Sequence, residues 1–499
     1  MVGVSSFRSA VRVRAYASCP LMAGLLLFAP SSSWGQQAPA AASSSESSKA
    51  QPLVVKAPPP AAAEDPGYLF DWRPVGAPLG DALAAHGIYL HSVMQQSYVG
   101  IAEGGHNQAS QYVNLSYSGF DVDTQKAFGL QGGFFRFTLS DEAGNTANAS
   151  NSVGSNALFP FAFVNAVRLV DFYYNQSWAN HDVQVTVGRM QSGYSTTPYL
   201  SPGIHATEWQ CLFFSTSCGD TSAYANDSNK APYPVGAWGA KVTVHPAANW
   251  YVMAGAFENE PIEVTTPGHN GWPGPDWNLD QAMGWFLPVQ LGYISPANTL
   301  YPTNFHIGGY YDSAKFPDKL LNVNLQPVPI RPGAPLLDTG AYGVYMALQQ
   351  TVYRPSADPQ STRGLSVFVT ADFDLSRQTT IAEQFYAGFV FDGPFAQRPR
   401  DRLDFLATAA FYDPRQAQDR DLIAAIHGLN YTMKPQIAFE LNYGIAAAPG
   451  VTIYPFTQYI INPDQLGLAI PDPNDRFAIT FGVRTTIRFD TLFGLPQAQ

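Results

Sequence analysis

Charge is scarce in this chain. Asp, Glu, Lys and Arg make up 13% of it, against about 25% in ordinary globular proteins. A soluble all-β protein of this size would carry more on its surface. Long hydrophobic runs are scarce as well. Outside residues 21–29 (LMAGLLLFA), nothing approaches the roughly twenty apolar residues a membrane helix needs, so a helical membrane protein is excluded. Cysteine is nearly absent, with three in the whole chain, which rules out a disulfide-dense scaffold. The motifs H-E-x-x-H, C-x-x-C, S-x-x-K, G-x-S-x-G and G-x-G are missing. Their absence removes the short-spaced signatures of zinc proteases, redox pairs, serine hydrolases and dinucleotide binding. The nine histidines, His86, His91, His106, His181, His205, His245, His269, His306 and His427, are scattered. A hydrolase site assembled across distant strands leaves no such spacing, so an outer-membrane barrel esterase or lipid hydrolase stands as the alternative function.

What the chain does have begins with an export signal. Arg8, Arg12 and Arg14 precede the short apolar core at 21–29, and Ser33, Trp34 and Gly35 follow it. That is the order of a secretory signal, and residues 1–35 are set aside on that basis. Residues 36–66 are almost entirely Ala, Ser, Pro and Gln. Such a composition cannot bury enough apolar surface to offset ordering, and it predicts a disordered periplasmic lead. Beyond the first 35 residues, 24 basic residues stand against 38 acidic ones, a balance opposed to nucleic acid or anionic lipid as a partner. Cys19 leaves with the signal. Cys211 and Cys218 remain, and an oxidising periplasm predicts a disulfide between them.

From residue 67 to residue 493 the texture is uniform. Segments of about ten residues alternate in polarity between clusters of Gly, Pro, Asn and Asp. Val113, Leu115 and Tyr117 alternate with Asn114, Ser116 and Ser118. Phe135, Phe137 and Leu139 alternate with Arg136, Thr138 and Ser140. The valines 183, 185 and 187 alternate with Asp182, Gln184 and Thr186. Trp238, Ala240, Val242 and Val244 interleave with Lys241 and Thr243, and Ile437, Phe439, Leu441 and Tyr443 with Glu440 and Asn442. Near the end, Phe477, Ile479, Phe481, Val483, Ile487 and Phe489 share one parity; Thr480, Arg484, Thr486 and Arg488 share the other. Side chains on a strand point to opposite faces with period two. With aromatics at 13% and hydrophobic residues at 46%, the reading that fits is a transmembrane antiparallel β-barrel. Its apolar parity faces lipid and its polar parity lines a lumen. Strands are also expected at 88–99, 167–177, 250–258, 305–312, 341–352, 364–374, 381–391, 403–412 and 423–432. The count is fourteen to eighteen, about sixteen, with short periplasmic turns and longer extracellular loops. Residues 192–234 and 261–302 alternate poorly and are expected to be loops, one of which folds inward.

Several segments resemble the OprB-type carbohydrate-selective porins. They are Gly388-Phe-Val-Phe-Asp-Gly-Pro-Phe395 with Arg398-Pro-Arg-Asp401, Glu440-Leu-Asn-Tyr443, and Tyr454-Pro-Phe-Thr-Gln-Tyr-Ile-Ile-Asn-Pro463. Gly482-Val-Arg484 and, near the start, Leu79-Gly-Asp-Ala-Leu83 with His86-Gly-Ile88 fit the same pattern. The resemblance implies a sixteen-stranded outer-membrane barrel, passive uptake of glucose-like sugars and no cofactor. The chain departs from common barrels at its end, where six residues follow Phe493 instead of a terminal aromatic.

A sugar in a narrow throat sheds part of its hydration. Carboxylates, guanidinium groups and amides replace those hydrogen bonds, and aromatic rings meet the C–H faces of the pyranose. The inward parity supplies Arg136, Asp171, Asp372, Asp404, Glu440, Arg484 and Arg488 as candidate lumen contacts, because a charge on the lipid face is costly. Trp209, Trp272, Trp277 and Trp285 are the candidate loop aromatics. No metal or cofactor set is visible. The expected partners are small sugars and outer-membrane lipid; porins often form homotrimers, but no residue here marks an interface. A porin for acids or polyols is the remaining variant.

Overall fold

The structure is a computed structural model describing residues 67–70, 72–144, 153, 165–178, 181–191, 236–259, 282–296, 299–358 and 361–498. The strands are β1 (Ile88–Gly104), β2 (Ser110–Asp123), β3 (Gly133–Gly144), β4 (Ala166–Trp178), β5 (Val183–Gln191), β6 (Gly236–Ala247), β7 (Trp250–Asn259) and β8 (Gly284–Ile294). They continue as β9 (Thr303–Asn322), β10 (Pro335–Tyr353), β11 (Gly364–Asp374), β12 (Ile381–Asp392), β13 (Arg402–Tyr412), β14 (Gln436–Ala448), β15 (Val451–Ile461) and β16 (Phe477–Arg488). Each strand pairs with its neighbours in sequence, and β1 returns to pair with β16, so the sheet closes into a sixteen-stranded antiparallel barrel. The closing seam runs from Val93 opposite Arg488 to Gly104 opposite Ala478. Closure matters because lipid offers no partner to an unpaired backbone N–H or C=O. Among the described residues, no helix is long and apolar enough to cross a membrane.

Among the described residues, four short helices sit outside the strands: α1 (Ala77–Ala85), α2 (Thr124–Phe128), α3 (Pro414–Ile426) and α4 (Phe489–Phe493). The chain before β1 and the chain after β16 meet at one end of the barrel. There the Gly76 amide donates to Phe493 O at 2.9 Å, and Trp72 Nε1 donates to Leu492 O at 2.6 Å. The tightest connections lie at this same end: Ala248-Asn249 between β6 and β7, and Pro449-Gly450 between β14 and β15. Gly450 has φ 74°, and a Cβ there would lie 2.6 Å from Arg488 O, so the turn needs glycine. The longer connections gather at the opposite end. In a bacterial barrel the short turns are periplasmic and the long loops extracellular, which orients the molecule.

The structure corrects the sequence reading in three places. Residues 423–432 are not a strand. Asp413 accepts from the Arg415 amide with Pro414 at the first helical position, so α3 starts there and runs to Ile426; cap and proline outweigh a short apolar alternation. The expected loop 261–302 contains β8, in which Pro288 disguises a strand. Pro288 stands opposite Tyr310 in β9, and the β7–β8 ladder breaks beside it, between Ala254–Val289 and Phe257–Phe286. The third correction is the parity of β2. Val113, Leu115 and Tyr117 are buried inward while Ser118 is exposed and Asn114 and Ser116 are half-exposed outward, the reverse of a greasy outside. The other quoted alternations hold within their strands: Val187, Val242, Leu441 and Phe481 are exposed, whereas Thr186, Lys241, Glu440 and Thr480 are buried; the last one stops at Arg488, because Phe489 opens α4.

The outward parity gives a direct test. Leu441, exposed on β14, is expected to tolerate Phe. Leu441→Arg should lower barrel stability by about 2–4 kcal/mol if it lies near the bilayer midplane. Denaturant titration of the protein folded into phospholipid vesicles measures it, and an unchanged midpoint would place Leu441 away from lipid.

Candidate functional site in the barrel lumen

Two groups of charged side chains line the inside of the wall. The first lies on β1–β6. Arg136 on β3 grips Asp121 on β2 with both Nε and Nη2, each 2.6 Å from a carboxylate oxygen; the two residues are register partners. His91 on β1 adds a ring nitrogen 3.0 Å from Thr138 Oγ1 and another 3.5 Å from Asp121. Further along β3, Arg168 Nε donates to Glu142 Oε1 at 2.9 Å. Asp171 on β4 acts electrostatically on both Arg136 and Lys241. Paired strands bring these groups together, because side chains of one parity on neighbouring strands stand side by side.

The second group lies on β12–β16. Glu440 accepts from Gln458 Nε2 at 2.9 Å and from Asn442 Nδ2 at 3.2 Å. Thr480 Oγ1 donates to Gln458 Oε1 at 3.2 Å. Arg484 adds its charge to Glu440. Arg402 Nε donates to Asp392 Oδ1 at 2.6 Å. Asp404, on β13 beside them, feels Arg402, Asp392 and Glu440. It is 4% exposed, and neither of its carboxylate oxygens has a hydrogen-bond partner among the described residues. A buried carboxylate in that condition calls for an explanation.

Between the two groups the wall carries an aromatic stretch, with buried Asp312 of β9 among the rings. Tyr345 on β10 donates to Gln290 Oε1 at 2.9 Å, and Gln290 Nε2 donates to Tyr251 Oη at 2.7 Å. Phe286 stacks on Tyr310, with ring centroids 5.6 Å apart. All of these side chains are buried, on the inward parity of β7–β10. A further apolar patch joins Val99, Phe368, Tyr386, Val390, Leu406, Phe456 and Ile460 to Val153. Val153 belongs to the β3–β4 connection, and its carbonyl accepts from Gln436 Nε2 at 3.3 Å. Part of that connection therefore lies inside the barrel, against β14. This inward loop residue comes from neither of the two segments the sequence offered for that role.

Of the residues expected to line the lumen, Arg136, Asp171, Asp372, Asp404, Glu440 and Arg484 are all buried on inward parities. Arg136 and Asp171 fall in the first group and Asp404, Glu440 and Arg484 in the second, with Asp372 on β11 beyond it. Arg488 shares their parity but ends β16, half-exposed and 3.7 Å from Asp490, at the mouth. Trp285 is not a loop residue: it lies on β8 and is 57% exposed, facing outward. Trp209, Trp272, Trp277 and the pair Cys211–Cys218 lie outside the described residues. Sequence reasoning missed Asp121, Glu142, Arg168, Asp392 and Arg402. The missed signal was parity. Asp121 shares the inward parity of Val113, and the inverted polarity of β2 hid it.

At the extracellular mouth, Asp472 and Asp475 sit in the β15–β16 connection, with His106 of the β1–β2 connection 3.9 Å from Asp472. Burial, then the neighbouring Asp472 carboxylate, pushes the Asp475 carboxyl up to about 7. The folded loop therefore holds a proton that the unfolded chain has released above about pH 4. Stability from this group is present at low pH and is lost as pH rises towards 7. Hydrogen exchange in residues 462–476, corrected for intrinsic rates, should be slower at pH 5 than at pH 8. Asp475→Asn should remove that difference; an equal difference in the variant would assign it to another group.

Comparison with known proteins gives one consistent picture. The family model described as "Carbohydrate-selective porin, OprB family" matches residues 108–489. Porin B of Pseudomonas aeruginosa is 25% identical over 390 residues, covering 73% of this chain and 82% of that protein. A putative porin, QuiX, of Acinetobacter baylyi is 22% identical over 400 residues, covering 75% of this chain and 84% of that protein. The high-pH structure of Pseudomonas putida OprB superposes with a TM-score of 0.69 at 20% identity, covering 82% of this chain and 96% of that one.

Proposed function

The chain belongs to the OprB family of carbohydrate-selective porins, and from that premise we propose that its lumen passes glucose-like monosaccharides. It is an outer-membrane channel for carbohydrates, not an enzyme. The finer reading concerns which residues the solute meets. Asp404 carries it: a buried carboxylate, with neither oxygen hydrogen-bonded among the described residues, beside Arg402 and Glu440 in the lumen wall. A sugar hydroxyl is the partner that a carboxylate in a solute path accepts. Arg136, Asp171, Asp372, Glu440 and Arg484 are proposed as further contacts and Arg488 as a mouth residue. The aromatic wall of Tyr251, Phe286, Tyr310 and Tyr345 offers apolar faces to the ring. No single contact should bind tightly, because the solute has to leave.

The same reading extends to the rest of the chain. Residues 1–35 would direct export and be removed, 36–66 would form a periplasmic lead, and Cys211 and Cys218 would pair in the oxidising compartment. Partners are small sugars and outer-membrane lipid, with assembly of identical copies, a homotrimer being the form proposed.

Purified protein in a planar bilayer should show steady ion conductance that added glucose partly blocks. Asp404→Asn replaces a charged acceptor by a neutral one. The difference between charged and neutral hydrogen bonds is about 1 kcal/mol, so glucose block should weaken about fivefold. Arg136→Ala and Glu440→Ala should change conductance or glucose block while the heat-modifiable mobility of a folded barrel survives. A tight bilayer without conductance would remove the porin reading. Conductance blocked by glucose equally in all three variants would remove only the residue assignments.

A further inference from the structure

At the extracellular end one helix is fastened to distant parts of the wall. The inward face of β9 continues towards that end: Phe316 clusters with Ala314 and with Ala341 of β10, and Ala341 shares the inward parity of Tyr345. Asp318 has the parity of Phe316, and its side chain is fully buried. α3, which follows β13, packs against β9. Arg415 in its first turn pairs with Asp318 and lies 3.8 Å from Asp338 of β10. The Asp318 carboxylate also accepts the Leu320 and Leu321 amides, each at 2.8 Å, so the anchor is tied to the backbone of β9. The capping residue Asp413 donates its amide to Thr380 O of the β11–β12 connection at 2.9 Å. In the second turn Arg420, a buried side chain, donates through Nη2 to Leu468 O of the β15–β16 connection at 2.6 Å.

These attachments cannot all lie along the wall. Around the barrel, β13 is four strands from β9, and β15 is six. Neighbouring strands are about 4.8 Å apart, and strand tilt widens that spacing along the rim, so roughly 30 Å of wall separates β9 from β15. Residues 415 and 420 are only about 8 Å apart along the helix axis. Joining β9 to the β15–β16 connection over so short a distance draws both inward, above the lumen. α3 therefore lies across part of the entrance, not along its edge. Its first two turns, Pro414-Arg-Gln-Ala-Gln-Asp-Arg-Asp421, carry polar side chains on every side, as a helix does when it bridges through water instead of lying on a core.

We propose that Arg415 is a positioning residue: by holding α3 to β9 it keeps the helix across the entrance and sets the largest sugar the channel admits. The proposal rests on the carbohydrate-channel assignment and is independent of the residues proposed for the lumen. The chain enters α3 from β13 and leaves it for β14, neighbouring strands on one side of the mouth. Arg415 is the side chain that carries the helix to the β9 side. An acid in its place would face the carboxylates of Asp318 and Asp338, and like charges at that range repel, so the first turn would leave β9. The helix itself would survive, because an acid suits a helix N-terminus. A monosaccharide passes beside the helix in either state. A longer oligosaccharide passes only when the helix is displaced.

The test is swelling of liposomes that carry the purified protein, in glucose and in the neutral trisaccharide raffinose. The unaltered chain should admit glucose and exclude raffinose. Arg415→Glu should lose that exclusion and conduct a larger ionic current in planar bilayers. Arg415→Lys, which keeps a cation facing Asp318, should retain the exclusion. So should Arg331→Glu, at an exposed position of the β9–β10 connection, which separates loss of the anchor from a change of charge at the mouth. The double variant Arg415→Cys, Asp318→Cys, made together with Cys211→Ser and Cys218→Ser, should admit raffinose. Bridging its two thiols with a short bis-methanethiosulfonate should restore exclusion, and dithiothreitol should abolish it again in the same vesicles, which a misfolded barrel would not do. Raffinose exclusion and conductance unchanged in Arg415→Glu would overturn the proposal, as would passage of raffinose through the unaltered chain or the bridged variant. An unaltered chain that admits no glucose would instead remove the channel reading on which it rests.

Discussion

Everything in this barrel depends on closing the hydrogen-bond ladder between β1 and β16. In the bilayer every backbone donor and acceptor needs a partner within the protein, and the seam from Val93–Arg488 to Gly104–Ala478 provides the last ones. Once the cylinder is closed, side-chain parity has a fixed meaning: one face looks out, the other in. The two ends also become distinct, since the segments before β1 and after β16 pack together through Trp72 and Gly76 at one of them. Arg136, Asp404 and Glu440 are lumen residues because the strands that carry them can point them nowhere else.

The inside is more varied than a wet wall. A lumen built only of polar groups would hold water without favouring any solute. Here charged pairs on β2–β4 and β12–β13 flank an aromatic stretch on β7–β10, and an apolar patch holds Val153 of the β3–β4 connection. Pyranoses present hydroxyls at their rims and C–H groups on their faces, so a wall that offers both kinds of contact suits them better than either alone. The pairing within each charged group also matters. Arg136 held by Asp121, and Glu440 held by Gln458 and Asn442, are tied to neighbouring side chains, so the inward wall presents ordered groups rather than mobile ones.

The class of fold was legible because period-two alternation survives in β3, β5, β6, β14 and β16 without help from neighbours. Where it failed, a nameable local force had overridden it. Pro288 interrupts the pattern of β8 but is accommodated where the β7–β8 ladder breaks. The cap formed by Asp413 and Pro414 turns an apolar stretch into α3. On β2 the pattern itself was sound, but polarity is not the same thing as direction: Asn114, Ser116 and Ser118 face out. Direction depends on what lies beyond each face, and one strand cannot report that. The site was half legible for the same reason. Individual inward charges could be named, yet partners such as Asp121 and Arg402 appear only when register sets strands side by side. The aromatic wall on β7–β10 went unseen because its residues are spread over four strands, while the sequence drew attention to loop tryptophans.

The central claim is that consecutive residues on these strands alternate between the solute path and the lipid. Cysteine modification on adjacent positions tests it most directly. In a background with Cys211 and Cys218 replaced by serine, Thr370→Cys and Val369→Cys would be compared in planar bilayers. Thr370 is buried inward and Val369 exposed outward on β11. A charged, water-soluble methanethiosulfonate should cut single-channel current in discrete steps for Thr370→Cys and leave Val369→Cys unaffected. Equal block at both positions, or block only at position 369, would contradict the assignment of inside and outside.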